Sequence, residues 1–293
     1  MAKIVVVGSF NLDLITYVER IPNIGETVTD GEFQTMPGGK GSNQAVAAAR
    51  LGADVTFVAC VGDDRFAQIG FDLWRDCGIR TNYVIQAKNT ATGTALILVD
   101  AKGENLIAVA PGANRNLSIT HVDAVSDVIA NADIVMAQLE ISLDVVEYAF
   151  NLARQHHTTT LLNPAPVRGD LDSLLLLADI VTPNEGESAM LKAKLTSPDQ
   201  TIVTTLGAKG AKWRKGDERH TIPSFSVDVV DTVGGGDAFN GGLAVALAEG
   251  KSLDDAVRFA NAVAALAVTK RGAASSMPQR AEVDTFLSQH NKS

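Results

Sequence analysis

Short runs of β-branched residues alternate with Ala/Leu-rich stretches along almost the whole chain, and this alternation restricts the fold more than any other feature. Ile4–Val7, Val55–Val61, Ile134–Ala137, Thr159–Leu162, Ile180–Val181 and Thr201–Thr205 read as strands buried on both faces. Between them, Ser42–Leu51, Arg65–Cys77, Ile119–Ala130, Leu143–His156, Asp237–Ala248 and Leu253–Thr269 read as helices. Strands and helices in alternation build a sheet of parallel strands covered by helices on both faces. The expected class is α/β, with three layers around a central, mainly parallel sheet.

Two stretches break the alternation. Glu26–Met36 is polar and Thr-rich, with little helical signal. Thr92–Val99 and Asn105–Ala110 flank Asp100-Ala-Lys-Gly-Glu104, which reads as a hairpin turn. These segments, roughly 12–37 and 92–111, are expected to form a small β-sheet lid that excludes water from a site. No linker, repeat or low-complexity tract divides the chain, so residues 1–293 are expected to form one domain carrying that lid.

Composition sets limits on partners. The 293 residues are 46% hydrophobic and 20% charged, enough for a sizeable core, and the formal net charge is −9. No broad basic surface is expected for nucleic acid or anionic lipid. An anionic substrate must then be held locally, by main-chain N–H groups, a helix terminus, a metal ion or a lysine. Cys60 and Cys77 stand in apolar contexts without metal-ligand spacing, which fits a reducing compartment. The apolar run Ile4–Val7 is too short for a signal-peptide core, and no segment is long enough for a membrane span. A cytoplasmic location is expected.

The strongest local motif is Asp231-Thr-Val-Gly-Gly-Gly-Asp-Ala-Phe-Asn240. Three glycines lead into an apolar helix, so main-chain N–H groups can converge where the helix terminus adds partial positive charge. Asp237 in the first turn is either a base facing that pocket or a capping carboxylate. Pro37-Gly-Gly-Lys-Gly-Ser-Asn43 is a second Gly-rich loop entering a helix. It lacks Walker A spacing; it reads as a site for a polyol, with Lys40 and Asn43 as hydrogen-bonding groups, or as a capped tight turn. Asn11 and Asp13 follow the first strand and share one face in extended backbone. They suit two adjacent hydroxyls, or are ordinary loop polarity.

Gln138-Leu-Glu140, Asn163-Pro-Ala-Pro166, Thr182-Pro-Asn-Glu-Gly-Glu187 and Thr204–Gly210 each follow an expected strand. Individually they are weak signals, but together they collect polar groups on one sheet edge, where open α/β sheets bind ligands. His121, His156, His157, His220 and His290 have no ligand spacing or triad pattern, and no G-x-G-x-x-G follows the first strand.

Gly38-Gly-Lys-Gly-Ser-Asn-Gln-Ala-Val-Ala-Ala-Ala49 and Asp231-Thr-Val-Gly-Gly-Gly-Asp237 resemble the two signatures of the phosphofructokinase-B-type family of carbohydrate kinases, in its ribokinase-like branch. The resemblance runs from Val5 to Pro278. It implies that Asn11, Asp13, Gly39, Lys40, Asn43 and Glu140 bind a sugar. Asp237 would deprotonate its primary hydroxyl, and Gly234, Gly235 and Gly236 would form an anion hole. ATP would lie against Asn184, Thr205, Gly207, Gly210, Gly236 and Asn261, with Glu187 organising Mg²⁺ through water. A monovalent cation, K⁺, would sit at Asp231, Val233, Ala267, Lys270, Gly272 and Ser276, largely on carbonyl oxygens. Dimerisation through the lid is implied as well.

The chain departs from that pattern twice. Gly235 stands where many members have Ala, and only Pro183 to Gln200 joins the Ile180–Val181 strand to the next, where members usually carry a longer helical segment. Asn11 matches a substrate bearing a 2-hydroxyl, which points to D-ribose; 2-deoxyribose, a ketohexose or a nucleoside are alternatives within the same chemistry, and a non-catalytic sugar-binding regulator is one outside it.

Overall fold

The computed structural model describes residues 1–290. In chain order the elements are β1 (Lys3–Val7), β2 (Asn11–Tyr17), β3 (Glu32–Gly38), α1 (Lys40–Arg50), β4 (Asp54–Gly62), α2 (Arg65–Asp76), β5 (Arg80–Ala87), β6 (Gly93–Val99) and β7 (Asn105–Ala110). There follow α3 (Ile119–Asp123), α4 (Ser126–Ala130), β8 (Ile134–Ala137), α5 (Leu143–Gln155), β9 (Thr159–Leu162), α6 (Asp172–Leu177), β10 (Ile180–Val181), α7 (Glu185–Leu191) and β11 (Thr201–Thr205). The chain continues through β12 (Ala211–Lys215), β13 (Glu218–Ile222), α8 (Gly235–Ala248), α9 (Leu253–Ala267) and α10 (Arg280–His290).

A sheet of nine strands runs in the order β13-β12-β11-β10-β9-β8-β1-β4-β5. The seven strands from β11 to β5 are parallel, and the β12–β13 hairpin extends one edge antiparallel. Strand β1 explains why both faces need cover. Its Ile4 and Val6 enter one core with α1, α2, α8 and α9, while Val5 and Val7 enter another with α5 and α6. Helices α1 and α8 approach closely through Gly241, where a Cβ would lie 2.5 Å from Ala47 Cβ. Gly241→Ala is expected to destabilise the protein by about 1–3 kcal/mol through overpacking, read as a lowered denaturation midpoint.

Four strands, in the order β3-β2-β6-β7, form a separate small sheet at the expected lid segments. Strands β2 and β6 pair in parallel from Asn11↔Gly93 to Tyr17↔Val99, with β3 and β7 antiparallel outside them. Asn11 and Asp13 therefore belong to a strand of the small sheet rather than to a loop.

Other differences from the sequence reading have local causes. Ile119–Ala130 is two short helices instead of one, with an i to i+3 bond from Val125 N–H to Val122 O at the break. β-Branched and short polar residues there have weak helical preference. Strands β5, β12 and β13 carry charged residues and become recognisable only once paired. The short 183–200 connection does make a parallel crossover, with the seven-residue helix α7 inside it.

This topology makes one crevice. From β1 the chain runs to β4 and β5 on one side, and later to β8 through β11 on the other. The loops after β1 and β8 diverge at that switch point, which is where open α/β sheets admit ligands.

Candidate active site

Helix α8 begins at the crevice. Gly234 is left-handed (φ 75°), and a Cβ there would lie 2.8 Å from Ala273 Cα, so glycine is required. Gly235 N–H bonds Thr232 O at 3.2 Å, and Ala238 N–H bonds Gly234 O at 2.8 Å. The N–H groups of Gly236 and Asp237 have no partner among the described residues. A Cβ on Gly236 would meet no protein atom within 4 Å. Two first-turn donors thus stay unpaired, with open space beside Gly236, at the positive end of a fourteen-residue helix, an arrangement that suits a phosphoryl group.

Asp237 does not cap this helix. Its carboxylate accepts from Asn43 Nδ2 at Oδ2 and from Gln44 Nε2 at Oδ1, both at 2.9 Å. Burial pushes its pKa above the ordinary carboxylate value, and Glu140 adds to the shift, while Lys40 and the Asn43 and Gln44 amides oppose it. The result is a desolvated carboxylate, more basic than one in water and still held by donors to its ionised form. Burial works against the charge of Lys40, but Asp237, Glu140 and Glu187 together keep its ammonium above the ordinary value.

Asn11, Asp13, Gly39, Lys40, Asn43, Glu140 and Asp237 line a single cavity of about 1060 Å³ under the small sheet. Gly39 is left-handed (φ 86°) and packs its Cα on Phe10, bringing the loop before α1 against the loop after β1. Phe10 in turn packs edge-on to Trp74, whose indole N–H donates to Ser42 Oγ at 2.9 Å. Asn114 fixes Asn11 by donating to its Oδ1 at 2.8 Å, which leaves the Asn11 amide N–H groups as donors. Asn43 has the opposite polarity: its nitrogen serves Asp237, and its buried Oδ1 has no partner. Asp13 pairs with Met36 across β2 and β3 and lays its carboxylate against Gly38, where a Cβ would lie 2.5 Å from it. Burial first, then Glu140 and Asp237, push its pKa up to about 7. Glu140 accepts from Ser9 Oγ and from Lys40 N–H, at 2.5 and 2.9 Å. Donors from Asn11 and Lys40 and acceptors from Asp13, Glu140 and Asp237 line the same cavity, a mixture that suits a polyol.

The residues expected on the nucleotide side lie outside this cavity, except that Gly236 sits at the α8 terminus between the two regions. Asn184 and Thr205 are bridge partners at the sheet edge. Asn184 and Glu187 form a capping box on α7, so part of their capacity is structural. Glu187 is pushed up by burial, against the Asn184 N–H and the Lys40 charge. Gly207 and Gly210 bound the turn after β11; Gly210 packs against Ile222–Ser224, and Asn261 donates to the carbonyls of Ile222 and Pro223 at 3.1 and 3.2 Å.

The expected cation positions also come together. Asp231 accepts from Val233 N–H and Gly272 N–H at 3.0 and 2.9 Å, binding the loop before α8 to the loop after α9. Ala267 and Ser276 flank that second loop, and Lys270 turns its ammonium outward to Glu282 at 2.7 Å. The oxygen atoms these two loops can offer are mostly main-chain carbonyls, a donor type that fits a monovalent cation, though the Ala267 and Ala273 carbonyls already accept from Lys270 and Ser276 N–H. Among the described residues no group of three or more His, Cys, Asp or Glu is placed to hold a metal ion. A divalent ion would therefore need phosphate oxygens and water for most of its shell, which is the usual habit of Mg²⁺.

Sequence reasoning missed Ser9, Gln44 and Asn114, and left Asn163 without a role. Gln44 and Asn163 belong to motifs that the sequence singles out, and Ser9 lies two residues before Asn11 in the loop after β1, but Asn114 had no signal, because its contact with Asn11 spans the fold. Cys60 and Cys77 are free thiols. Among the described residues no helix is long and apolar enough to cross a membrane.

Residues 1–280 match the family model described as pfkB family carbohydrate kinase. The chain is 40% identical to the ribokinase of Bacillus subtilis, over 98% of this chain and 100% of that protein. It is 36% identical to a deoxyribokinase of Salmonella typhi, over 97% and 98% of the two chains. Its fold superposes on the structure of Arabidopsis thaliana ribokinase complexed with ribose and ATP with a TM-score of 0.89, at 32% identity and covering 98% and 99% of the two chains.

Proposed function

The chain belongs to the pfkB family of carbohydrate kinases, and from that premise we propose that it transfers the γ-phosphoryl group of ATP to the primary hydroxyl of D-ribose, giving D-ribose 5-phosphate. The observation that carries the site assignment is the desolvated Asp237 carboxylate beside two unpaired N–H groups of its own helix turn. Asp237 takes the hydroxyl proton as the O–P bond forms. The Gly236 and Asp237 N–H groups, with Lys40, stabilise charge on the transferring group. Phosphoryl transfer needs mainly such positioning and charge stabilisation.

Asn11 donates to a sugar hydroxyl oxygen, Asp13 accepts from sugar hydroxyls, and Asn43 borders the sugar beside Asp237. Gly39 and Glu140 complete the cradle. Asn184, Thr205, Gly207, Gly210 and Asn261 hold the nucleotide along the sheet edge. When bound, Mg²⁺ neutralises phosphate charge, and Glu187 is the carboxylate available to orient its water shell. A K⁺ ion held by the Asp231–Val233 and Ala267–Ser276 loops would brace the anion hole; initial rates rising with added KCl, but less with NaCl, check this. The small sheet acts as lid and dimer surface, a reading supported by exposed Phe33, Leu96, Leu106 and Val109. We place the protein in the cytoplasm, as one domain.

Two measurements test the reaction. ADP release with Mg-ATP and a panel of ribose, 2-deoxyribose, fructose and nucleosides should give the highest kcat/KM for ribose. No turnover with any of them would favour a non-catalytic sugar binder. The deoxyribokinase relative makes 2-deoxyribose the competing substrate, and Asn11→Ala should shrink the ribose preference by removing the donor. Gly236→Ala should raise helix stability by about 0.5–1 kcal/mol. It should nevertheless lower kcat by about 10²-fold or more by filling the phosphoryl space. A variant that is both stable and fully active would exclude the anion-hole assignment.

A further inference from the structure

The ends of three neighbouring strands carry Gln138, Asn163 and Thr182, buried polar side chains that no step above uses. Gln138 and Asn163 join Gln44 in a chain of amides whose polarity is set from one end. The main-chain carbonyl of Thr182 can only accept, so Asn163 presents Nδ2 to it at 3.1 Å. That turns Asn163 Oδ1 toward Gln44, which presents Nε2 at 3.1 Å. The same Gln44 nitrogen donates to Asp237 Oδ1 at 2.9 Å. Gln44 Oε1 then faces away and accepts from Gln138 Nε2. The chain ends at Gln138 Oε1, which has no partner and abuts Gly8, where a Cβ would lie 2.4 Å from it. Reversing the Gln44 amide would set its oxygen against two acceptors at once, so only one orientation is compatible with its neighbours.

Thr182 anchors the anion hole as well. Its hydroxyl donates to Asn240 Oδ1, and Asn240 Nδ2 donates to the Gly236 carbonyl at 2.8 Å. That carbonyl shares a peptide plane with the Asp237 N–H, and in a trans peptide the two point in opposite directions.

We propose that Gln44 is a positioning residue for phosphoryl transfer, its amide oriented from Thr182 through Asn163 so that an N–H always faces Asp237 Oδ1 and the remaining lone pairs of the carboxylate stay directed at the sugar hydroxyl. This rests on the reading of Asp237 as the base. The charged groups around Asp237 are Lys40 from α1, Glu140 after β8 and Asp13 from β2. Lys40 and the two amides favour the ionised base; burial and Glu140 oppose it. Removing one amide therefore shifts the balance toward the protonated, inactive form.

The test is kcat, sugar KM and the pH profile of kcat for Gln44→Met and Gln44→Glu in the full-length protein. Gln44→Met should lower kcat by about 10- to 100-fold, the worth of one hydrogen bond to a charged group, with sugar KM nearly unchanged. Its acid limb should move to higher pH. Gln44→Glu keeps the shape and the bond from Gln138, but puts an acceptor against Asp237 and Asn163, so a shared proton is needed. Its kcat should fall as pH rises through the range where the parent protein is constant. If Gln44→Met does not fold, the isosteric Gln44→Glu decides. A parental rate and pH profile in either folded variant, or a loss confined to KM, overturns the proposal. Asp237→Ala separates the two readings: if it is inactive while the Gln44 variants behave as the parent, only the positioning role fails; if it is active, the base assignment fails and this inference with it.

Discussion

Asp237→Ala is expected to lower kcat by about 10²–10⁴-fold, the usual contribution of a positioned general base, with ribose affinity changed far less. The two effects separate because the carboxylate is bound from behind, by Asn43 and Gln44, and only its remaining lone pairs face the cavity. The sugar keeps Asn11, Asp13 and Glu140, which stand on other elements. Single-turnover rates with saturating ribose, paired with calorimetric ribose binding, check this. Turnover near the parental rate in the purified variant would remove Asp237 from the mechanism. Asp237→Asn keeps the shape but cannot accept the proton, so it should be impaired to a similar degree.

Ribose affinity is expected to fall as pH drops below about 7, the value to which Asp13 is pushed by burial and by its neighbours Glu140 and Asp237. An ionised Asp13 accepts hydrogen bonds from sugar hydroxyls, whereas a protonated one loses part of that capacity. Binding therefore draws a proton off Asp13, and apparent KM should rise by up to about tenfold per pH unit below that point. Asp13→Ala should raise KM by about 10²-fold, by loss of hydrogen bonds to a charged group, and flatten the dependence. A KM for the parent that is constant from pH 6 to 8 would show that Asp13 is already ionised in the free protein. Stability runs the other way. A raised carboxylate pKa means the unliganded protein is favoured by this group at low pH and loses that contribution as pH rises toward 7. The difference in thermal midpoint between the parent and Asp13→Asn, followed against pH without sugar, isolates the effect.

Much of the architecture is legible in local pattern, because a parallel strand buried on both faces must be apolar along its length. Strands β8, β9, β10 and β11 fall where their β-branched runs predict them. Strands β5, β12 and β13 do not announce themselves, since strands at or next to the sheet edges keep a solvent-facing side and admit Arg, Lys and Glu. The paired glycine loops were equally legible, because tight main-chain packing and positive φ leave a mark in residue type. The Gly235 departure proves mild in space: a Cβ there would lie 3.0 Å from Val268 Cγ1, a contact that a small side-chain shift relieves.

By itself the sequence determined the fold class, the two glycine loops and the identity of the acid beside the second one. It left Asp237 equally readable as a helix cap and as a base. The tertiary structure speaks against the cap and supports the proposed base, by bringing Asn43 and Gln44 of α1 onto the carboxylate from nearly 200 positions away along the chain. The orientation of those amides is decided further off still, at the ends of β8, β9 and β10. Hydrogen-bond polarity propagates through contacts in space, and no local window of residues contains it.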